Sequence, residues 1–459
     1  MQVIRSVTRP KVLANGERLV SHGGSSMLAE IADLSGLTAG LSGMIRAGGH
    51  LPRRHDPGVT LVRAAVAIAD GMTNISMVDM FCRSRPQIFE RASSRSTLAR
   101  TVFAFGDELM PARLDSVVGL CRTNVWAKAH YAPESLIIDI DATLLDVHSE
   151  KQTAAPNYKG GFGFHPLGMW LDETREPLAM ILRPGNAGAN NADDHCDVLM
   201  RSIEQLPAQY QAGHESGDRP ENVVHAILVR ADSAGASKQF LGELKSRNIE
   251  YSVGFRMTEQ LKMLITSRKE STWIPAINPD RTARRGAHVT ELPINLTTDG
   301  WPAGSRLICR REEPHPGAAL SLFDQEHGYR HTLMLTNTTS PDIAGLELRH
   351  RQHARVEDRI RCWKTTGACR QPSWDAPANE AWLNTSLLGL TLIAWAQLLG
   401  FTGELAKAEP ATFRTRILHI AAQHATRQRQ LHLHLDKTWP WAKETANAYT
   451  RIRAAFAVP

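Results

Sequence analysis

Apolar residues change their spacing near residue 130. Up to residue 125 they recur at helical intervals, after a stretch around "LANGERLV" that suggests an initial hairpin. From residue 135 the chain turns to short apolar runs bounded by turn residues. "SLIIDIDATL" leads to "GFGFHPLGMWL" (161–171), a polar turn at "DETRE", and "PLAMILR" (177–183). Runs this close in sequence predict an antiparallel hairpin. "NNADDHCDVLMRSIEQL" (190–206) predicts a helix with Asn191 near its cap and Asp193 and Asp194 in its first turn. The strand "VVHAILVRADS" (223–233), the helix "SKQFLGELKSR" and the strand "IEYSVGF" follow.

Three antiparallel strands feeding a parallel half-sheet is the order of a ribonuclease-H-like α/β core. Residues 258–330 interrupt it with Pro, Gly and short pieces ("HVTELPINL", "SRLICRREEP", "HTLMLTN") that predict a β-rich insertion. A long helix starts near Asp342 and runs through "LELRHRQHARVEDRIRCWK". An apolar helix at 386–401, capped by Asn384, comes next, then a basic tail in which "RQLHLHL" alternates like a strand. The chain therefore divides into a helical region, 1–125, and the first part of the core, 130–257. The insertion (258–340), the long core helix (341–372) and a helical, basic C-terminal region (373–459) complete it.

At 459 residues the chain is too long for one compact core, and 42% apolar with 22% charged residues describes a globular protein. Six scattered cysteines without a CxxC pair argue against a disulfide framework and a structural zinc, and suit a reducing cytoplasm. The N-terminus lacks a secretory apolar segment, and Thr391 and Gln397 interrupt the longest apolar run, so a cytoplasmic protein is expected. Charge placement is more informative than its total. From Ala411 onward eight Lys or Arg face only Asp436 and Glu444, an excess equal to the net +6 of the whole chain. Arg427 and Arg429 in that segment are candidates for DNA-backbone contact. The helix in "SSRSTLARTVFAF" (93–105), with Arg95 and Arg100, reads either as part of a DNA-binding helix pair or as a packing helix. His432 and His434 read as a partly exposed sheet edge in preference to a metal site.

The chemistry concentrates in carboxylates. On a strand, Ile137, Asp139, Asp141 and Thr143 share one face. Two carboxylates side by side at a strand end call for a cation, and Asp232 ends a second strand. Three converging carboxylates favour hard divalent ions such as Mg²⁺, and two such ions assist phosphodiester chemistry. A helix residue must complete the set. Glu357 fits, with Arg361 and Lys364 on its helical face at i+4 and i+7, placed to hold a DNA backbone beside the metal ligand. The plain alternative is an exposed helix laced with salt bridges.

A rival reading comes from the same strand. "DIDATLLD" matches the D-x-D-x-T-L pattern of haloacid-dehalogenase-like phosphatases, with Asp139 as nucleophile and Asp141 as general acid. Such enzymes need a second acidic pair later, where "LVRADSAG" has one aspartate, and a helical crossover where this chain has a hairpin.

Four blocks carry a resemblance: "RPGNAGANNADDH" (183–195), "VRADSAGAS" (229–237), "DGWPAGSRLICRREEPHPGA" (299–318) and "RHRQHARVEDRIRCWKTTG" (349–367). With "KTWPWA" (437–442), they make the chain similar to bacterial insertion-sequence DDE transposases of the IS-thirteen-eighty family, or DDE group 1. The resemblance implies a ribonuclease-H-like catalytic core with a β-rich insertion before the glutamate helix. It implies a metal-binding triad of Asp141 (in "DAT"), Asp232 and Glu357, with Asp139 the less favoured first ligand. Two Mg²⁺ ions, or Mn²⁺ in their place, are the implied cofactors. The implied partners are double-stranded DNA, as terminal inverted repeats and target, and further copies of the chain on paired ends. Related enzymes carry a Tyr-Arg-Glu-Lys signature at the glutamate; here Lys364 matches, while His350 and His353 stand at the Tyr and Arg positions. Their DNA-positioning role passes by resemblance to these histidines, or else to Arg351 and Arg355. Trp273 and Trp301, in the insertion, are candidates for stacking a flipped base or for the core.

Overall fold

The computed structural model describes residues 17–47, 54–104, 110–148, 150–427 and 430–457. Among the described residues, six helices of nine residues or more precede the sheet: α1 (Ser25–Ser35), α2 (Leu37–Ala47), α3 (Pro57–Ala69), α4 (Ile75–Arg83), α5 (Arg95–Phe103) and α6 (Met110–Lys128). Ser and Asn caps start several of them. Ser94 accepts from Thr97 N at the start of α5, and Asn74 accepts from Met77 N at the start of α4.

The strands are β1 (Ser135–Ala142), β2 (Leu167–Leu171), β3 (Pro177–Ile181), β4 (Ala226–Ala231) and β5 (Glu250–Phe255). Four more follow: β6 (Ile274–Ile277), β7 (Ala283–Leu292), β8 (Arg306–Glu312) and β9 (Arg330–Thr336). All nine form one sheet in the order β6-β7-β8-β9-β5-β4-β1-β2-β3. β1 pairs antiparallel with β2 and parallel with β4; β4 continues parallel to β5. The segment expected as an insertion is β-rich and joins the core sheet edge to edge, because β9 returns antiparallel beside β5.

Helices α7 (Ala192–Glu204), α8 (Lys238–Ser246), α9 (Ile343–Arg351), α10 (Arg355–Trp363), α11 (Ala376–Gly400) and α12 (Ala442–Phe456) complete the main framework. α7 begins as its sequence indicates, with Asn191 accepting from Asp193 N. The helix expected to run unbroken from Asp342 instead tightens to a 3₁₀ turn at Gln352–Ala354 between α9 and α10. α9 packs Ala344 and Leu346 on the β7-β8-β9 extension, and α10 packs Val356, Ile360 and Trp363 against Trp170 and Met180. The α9–α10 run thus spans the sheet from extension to core.

α11 is long and apolar enough to cross a membrane, yet nearly all of its apolar window is buried inside the fold. Apolar side chains on every face make it a core helix. Its cap is Asp375, accepting from Ala378 N, with Pro377 in the first turn; Asn384 lies buried inside the helix, not at its start. Gly389 allows α3 to approach, since a Cβ there would fall 2.7 Å from the Ala65 carbonyl oxygen.

The "LANGERLV" hairpin is not formed by its described half. Residues 13–16 lie outside the described residues, and Leu19–Val20 pairs antiparallel with β10 (Ala422–Arg427), which pairs with β11 (Gln430–Leu435). His432 and His434 sit on that edge strand with stacked rings 6.0 Å apart.

One buried ion pair joins three parts of the chain. Glu176, before β3, accepts from Arg122 Nε of α6 at 2.7 Å, Trp126 Nε1 at 2.8 Å and Trp395 Nε1 of α11 at 2.8 Å. Both charged side chains are fully buried. Removing one partner strands the other charge away from water, so Glu176→Ala should cost about 3–5 kcal/mol. Urea denaturation monitored by tryptophan fluorescence checks this, with Glu176→Gln the milder variant.

Candidate active site

β1 ends in the residue around which the site is built. Leu136, Ile138 and Ile140 are buried on one face, and Asp139 and Asp141 occupy the other. Asp141 is half-buried, and its Oδ1 accepts from the next backbone N–H, Ala142 N, at 2.7 Å. Among the described residues it has no cationic hydrogen-bond partner. Burial pushes its carboxyl up to about 6, and the charges of Asp232 and Glu357 push the same way.

Those two carboxylates arrive from different directions. Asp232 follows β4, neighbour of β1, and its Oδ1 accepts from Ala234 N at 2.8 Å, capping the turn Ser233–Gly235. Glu357 is in the first turn of α10, carried across the sheet by the α9–α10 run. Both are exposed, and neither pairs with a cation among the described residues. Other carboxylates do pair: Asp194 with Arg183, Glu347 with Arg310 and Asp115 with Arg201. Asp141, Asp232 and Glu357 are therefore left as hard oxygen donors without a cationic partner among the described residues, with Asp232 and Glu357 near enough for their charges to act on Asp141.

Asp139 is different. Arg230 stands opposite it on β4 and donates to both of its oxygens at 2.7 Å, and His353 Nδ1 donates to Oδ1 at 2.8 Å. Burial alone would raise this carboxyl, but the His353 and Arg230 hydrogen bonds hold it below the usual range. Arg230 also meets Asp172 at 3.1 Å and donates to the Arg349 carbonyl at 2.8 Å, while Arg355 reaches Asp172 at 3.2 Å. This buried network bolts α9 and α10 to β1, β2 and β4. Its signal was present in "VRADS", where a basic residue occupies the strand face of the catalytic candidates.

The expected DNA contacts are distributed unevenly. His350 Nδ1 bonds Ser252 Oγ at 3.0 Å, and burial, with the charge of His353 next, pushes its imidazole down to about 3. A neutral ring turned onto β5 does not suit the phosphate contact expected of it. His353 is taken up by Asp139 at the edge of the site. Arg361 donates to both oxygens of Glu409, at 3.0 and 2.7 Å, and to Asp358 at 3.0 Å. That is the exposed ion-pair lacing, not a charge free beside Glu357. Lys364 does reach the site. Its ammonium donates to the Leu144 carbonyl at 2.9 Å and lines a cavity of about 590 Å³ with Ala142, Tyr158, Lys159 and His165. Tyr158 and Lys159 in this wall were not singled out by their sequence.

In the basic tail, Arg414, Arg451 and Arg453 bind the Ala69 carbonyl, the Gly400 carbonyl and Glu30. Arg427 is exposed, and Arg429 lies outside the described residues. A second cavity of about 680 Å³ beside Asp232 is lined by Lys238, Phe255 and Trp301, with the Phe255 and Trp301 rings 5.1 Å apart. Trp273 is buried beneath the Arg311 guanidinium, 4.3 Å from its ring centre, so of the two tryptophans only Trp301 faces the site.

Three comparisons bear on these features. The profile of the family described as "Transposase DDE domain group 1" matches residues 5–457. Among solved structures, the chain is similar to a piggyBac transposase synaptic complex with hairpin DNA, at TM-score 0.41 and 12% identity, over 88% of this chain and 73% of that one. No curated protein matches the chain.

Proposed function

The chain belongs to the group 1 family of DDE transposases, and from that premise we propose that it cuts DNA at the ends of its own insertion sequence with Asp141, Asp232 and Glu357. The observation that carries the assignment is the contrast between these three unpaired carboxylates and Asp139, which Arg230 and His353 neutralise.

The donor set fits hard divalent cations, Mg²⁺ or Mn²⁺: all oxygen, three carboxylates, and a raised Asp141 carboxyl whose charge a cation would offset. When bound, a pair of such ions activates the attacking hydroxyl and stabilises the leaving oxygen of the phosphodiester. The chain's own residues supply the rest. β1 and β4 fix Asp141 and Asp232 at adjacent strand ends, and the Arg230 network sets the position of α10 and hence of Glu357. Lys364, which feels the charge of Asp141, and Lys159 in the wall of the same cavity would contact the phosphates next to the scissile bond. Trp301, with Phe255 and Lys238, offers a stacking wall for a base displaced near Asp232.

The strand order β3-β2-β1-β4-β5, with only β2 reversed, supports a ribonuclease-H-like core. The first cut frees a 3′ hydroxyl, which attacks target DNA in line at the same site. Residues 1–125 and the exposed Arg427 are assigned to the terminal inverted repeats, and the working form is a homo-oligomer holding two ends together. The phosphatase reading requires Asp139 as a free nucleophile, and its buried ion pair with Arg230 speaks against that.

End cleavage tests the proposal. The inverted repeats flanking the coding sequence supply the duplex, and the protein should nick it at the element end with Mg²⁺ and not with EDTA. Specific binding without a cut would sink the catalytic assignment, and hydrolysis of a small phosphomonoester instead would favour the phosphatase. In the same assay Lys364→Ala and Lys159→Ala should each lower the salt slope of end binding by about 1. Arg361→Ala should leave it unchanged.

A further inference from the structure

Away from the carboxylate site, three residues distant in sequence turn their ligand atoms towards one point. Asp70, at the end of α3, has a fully buried side chain. Its Oδ1 receives His22 Nδ1 at 2.6 Å and His419 Nε2 at 3.0 Å, and its Oδ2 accepts from Ser25 Oγ. The two imidazole nitrogens and the carboxylate oxygen lie within 4.8 Å of one another.

The surrounding chain is built to hold them there. His22 adopts φ 58°, the left-handed region that a non-glycine residue occupies at a cost. Gly23 N donates to the Ile420 carbonyl at 2.7 Å, and Gly24 lies so close that a Cβ would fall 2.0 Å from the Ile417 carbonyl oxygen. The segment before α1 and the segment before β10 are thus pressed together at this cluster. His22 and His419 keep 25% and 33% of their side-chain surface exposed, so the point is reachable from solvent.

We propose that His22, Asp70 and His419 form a zinc-binding site, separate from the Asp141 site, that fastens the segment before α1 to the C-terminal strands. Two imidazoles and one carboxylate are a donor set for Zn²⁺, with water as fourth ligand; Mg²⁺ disfavours nitrogen ligands. At metal–ligand distances of about 2.0–2.1 Å, tetrahedral donors stand roughly 3.3 Å apart. The pairs at 2.6 and 3.0 Å need only a small opening, in which the ion takes the place of the two protons shared with Oδ1 and each neutral imidazole carries its proton on its other ring nitrogen. Ser25 then orients the carboxylate through its second oxygen, as outer partners of metal ligands do. Arg85 and Arg414, close enough for Asp70 to stabilise their charges, oppose any cation here, so binding rests on the direct ligand bonds of the two imidazoles and the carboxylate. The scattered cysteines had argued against structural zinc; histidines and an aspartate supply the donors instead. The inference does not depend on the transposase reading.

The test uses the full chain carrying Asp141→Asn, Asp232→Asn and Glu357→Gln, so that the other carboxylate site cannot contribute. Titration with CoCl₂ should give the intense visible bands of tetrahedral cobalt at one equivalent, displaced by ZnCl₂, and ZnCl₂ should raise the melting temperature. His22→Gln or His419→Gln on that background should weaken binding about 100-fold or more and remove the thermal shift. Absence of both bands and shift in the folded parent overturns the proposal, as does their persistence in both histidine variants. Should both variants unfold, X-ray absorption of the zinc-loaded parent decides: two imidazole ligands support the site, and none overturns it.

Discussion

Asp141→Asn should abolish end cleavage, by about 10³-fold or more, and at the same time stabilise the metal-free protein. The first effect removes a ligand whose bound ions contribute several kcal/mol to the transition state. Asp232→Ala and Glu357→Ala should match it in cleavage. The second effect comes from the charge left in the cluster without a cation. The folded carboxyl of Asp141 sits near 6, above its unfolded value, so ionising it costs the fold stability. The penalty grows as pH rises from about 4 to about 6 and is complete above that. In EDTA, thermal melts should show the Asn variant ahead by on the order of 1 kcal/mol at pH 7.5, discounted for partial exposure, and level with wild type at pH 4. A variant that melts lower than wild type at neutral pH would mean that Asp141 has a structural partner.

Asp139→Asn should do the reverse. It removes one charge from a buried pair in which Arg230 and His353 hold the carboxylate, and leaves Arg230 with Asp172 as its one carboxylate partner among the described residues. Breaking such a pair costs about 3 kcal/mol or more, and Arg230→Met, which leaves Asp139 with His353 alone and Asp172 with Arg355 and Arg359, should cost about as much. Cleavage per folded molecule should stay measurable in Asp139→Asn, within about tenfold of wild type, because the three unpaired carboxylates remain. Chemical denaturation and cleavage on one preparation separate the two effects. Equal loss of cleavage in Asp139→Asn and Asp141→Asn, with stability intact, contradicts this division of roles.

The sheet was legible where an apolar run ended in a carboxylate or a cap: β1 before Asp141, β4 before Asp232, and α7 behind Asn191. Local rules suffice there, since the period, the cap and the turn all lie within ten residues. Long-range pairing defeated the same rules. Leu19–Val20 finds its partner about 400 residues away in β10, and nothing near "LANGERLV" encodes that. The start of α11 was misplaced because the apolar window drew attention to Asn384, although Asp375 followed by Pro377 is the stronger start signal. The site divides similarly. Alternation puts Asp139 and Asp141 on one face but cannot separate their roles; the separation comes from Arg230, which pairs across the sheet with Asp139 and not with Asp141. The orientation of His350 was not legible because its partner, Ser252, belongs to β5, and only the packing of α9 turns the ring inward.

The central claim, that Asp141, Asp232 and Glu357 hold the ions that cut DNA while Asp139 does not, is tested most directly by thiol substitution. A cysteine thiolate is a poor ligand for Mg²⁺ and a better one for softer Mn²⁺. Asp141→Cys should be inactive on the end duplex in Mg²⁺ and recover strand cleavage in Mn²⁺, whereas Asp139→Cys should show no such metal preference. Rescue by Mn²⁺ at residue 139 and not at residue 141 would contradict the account.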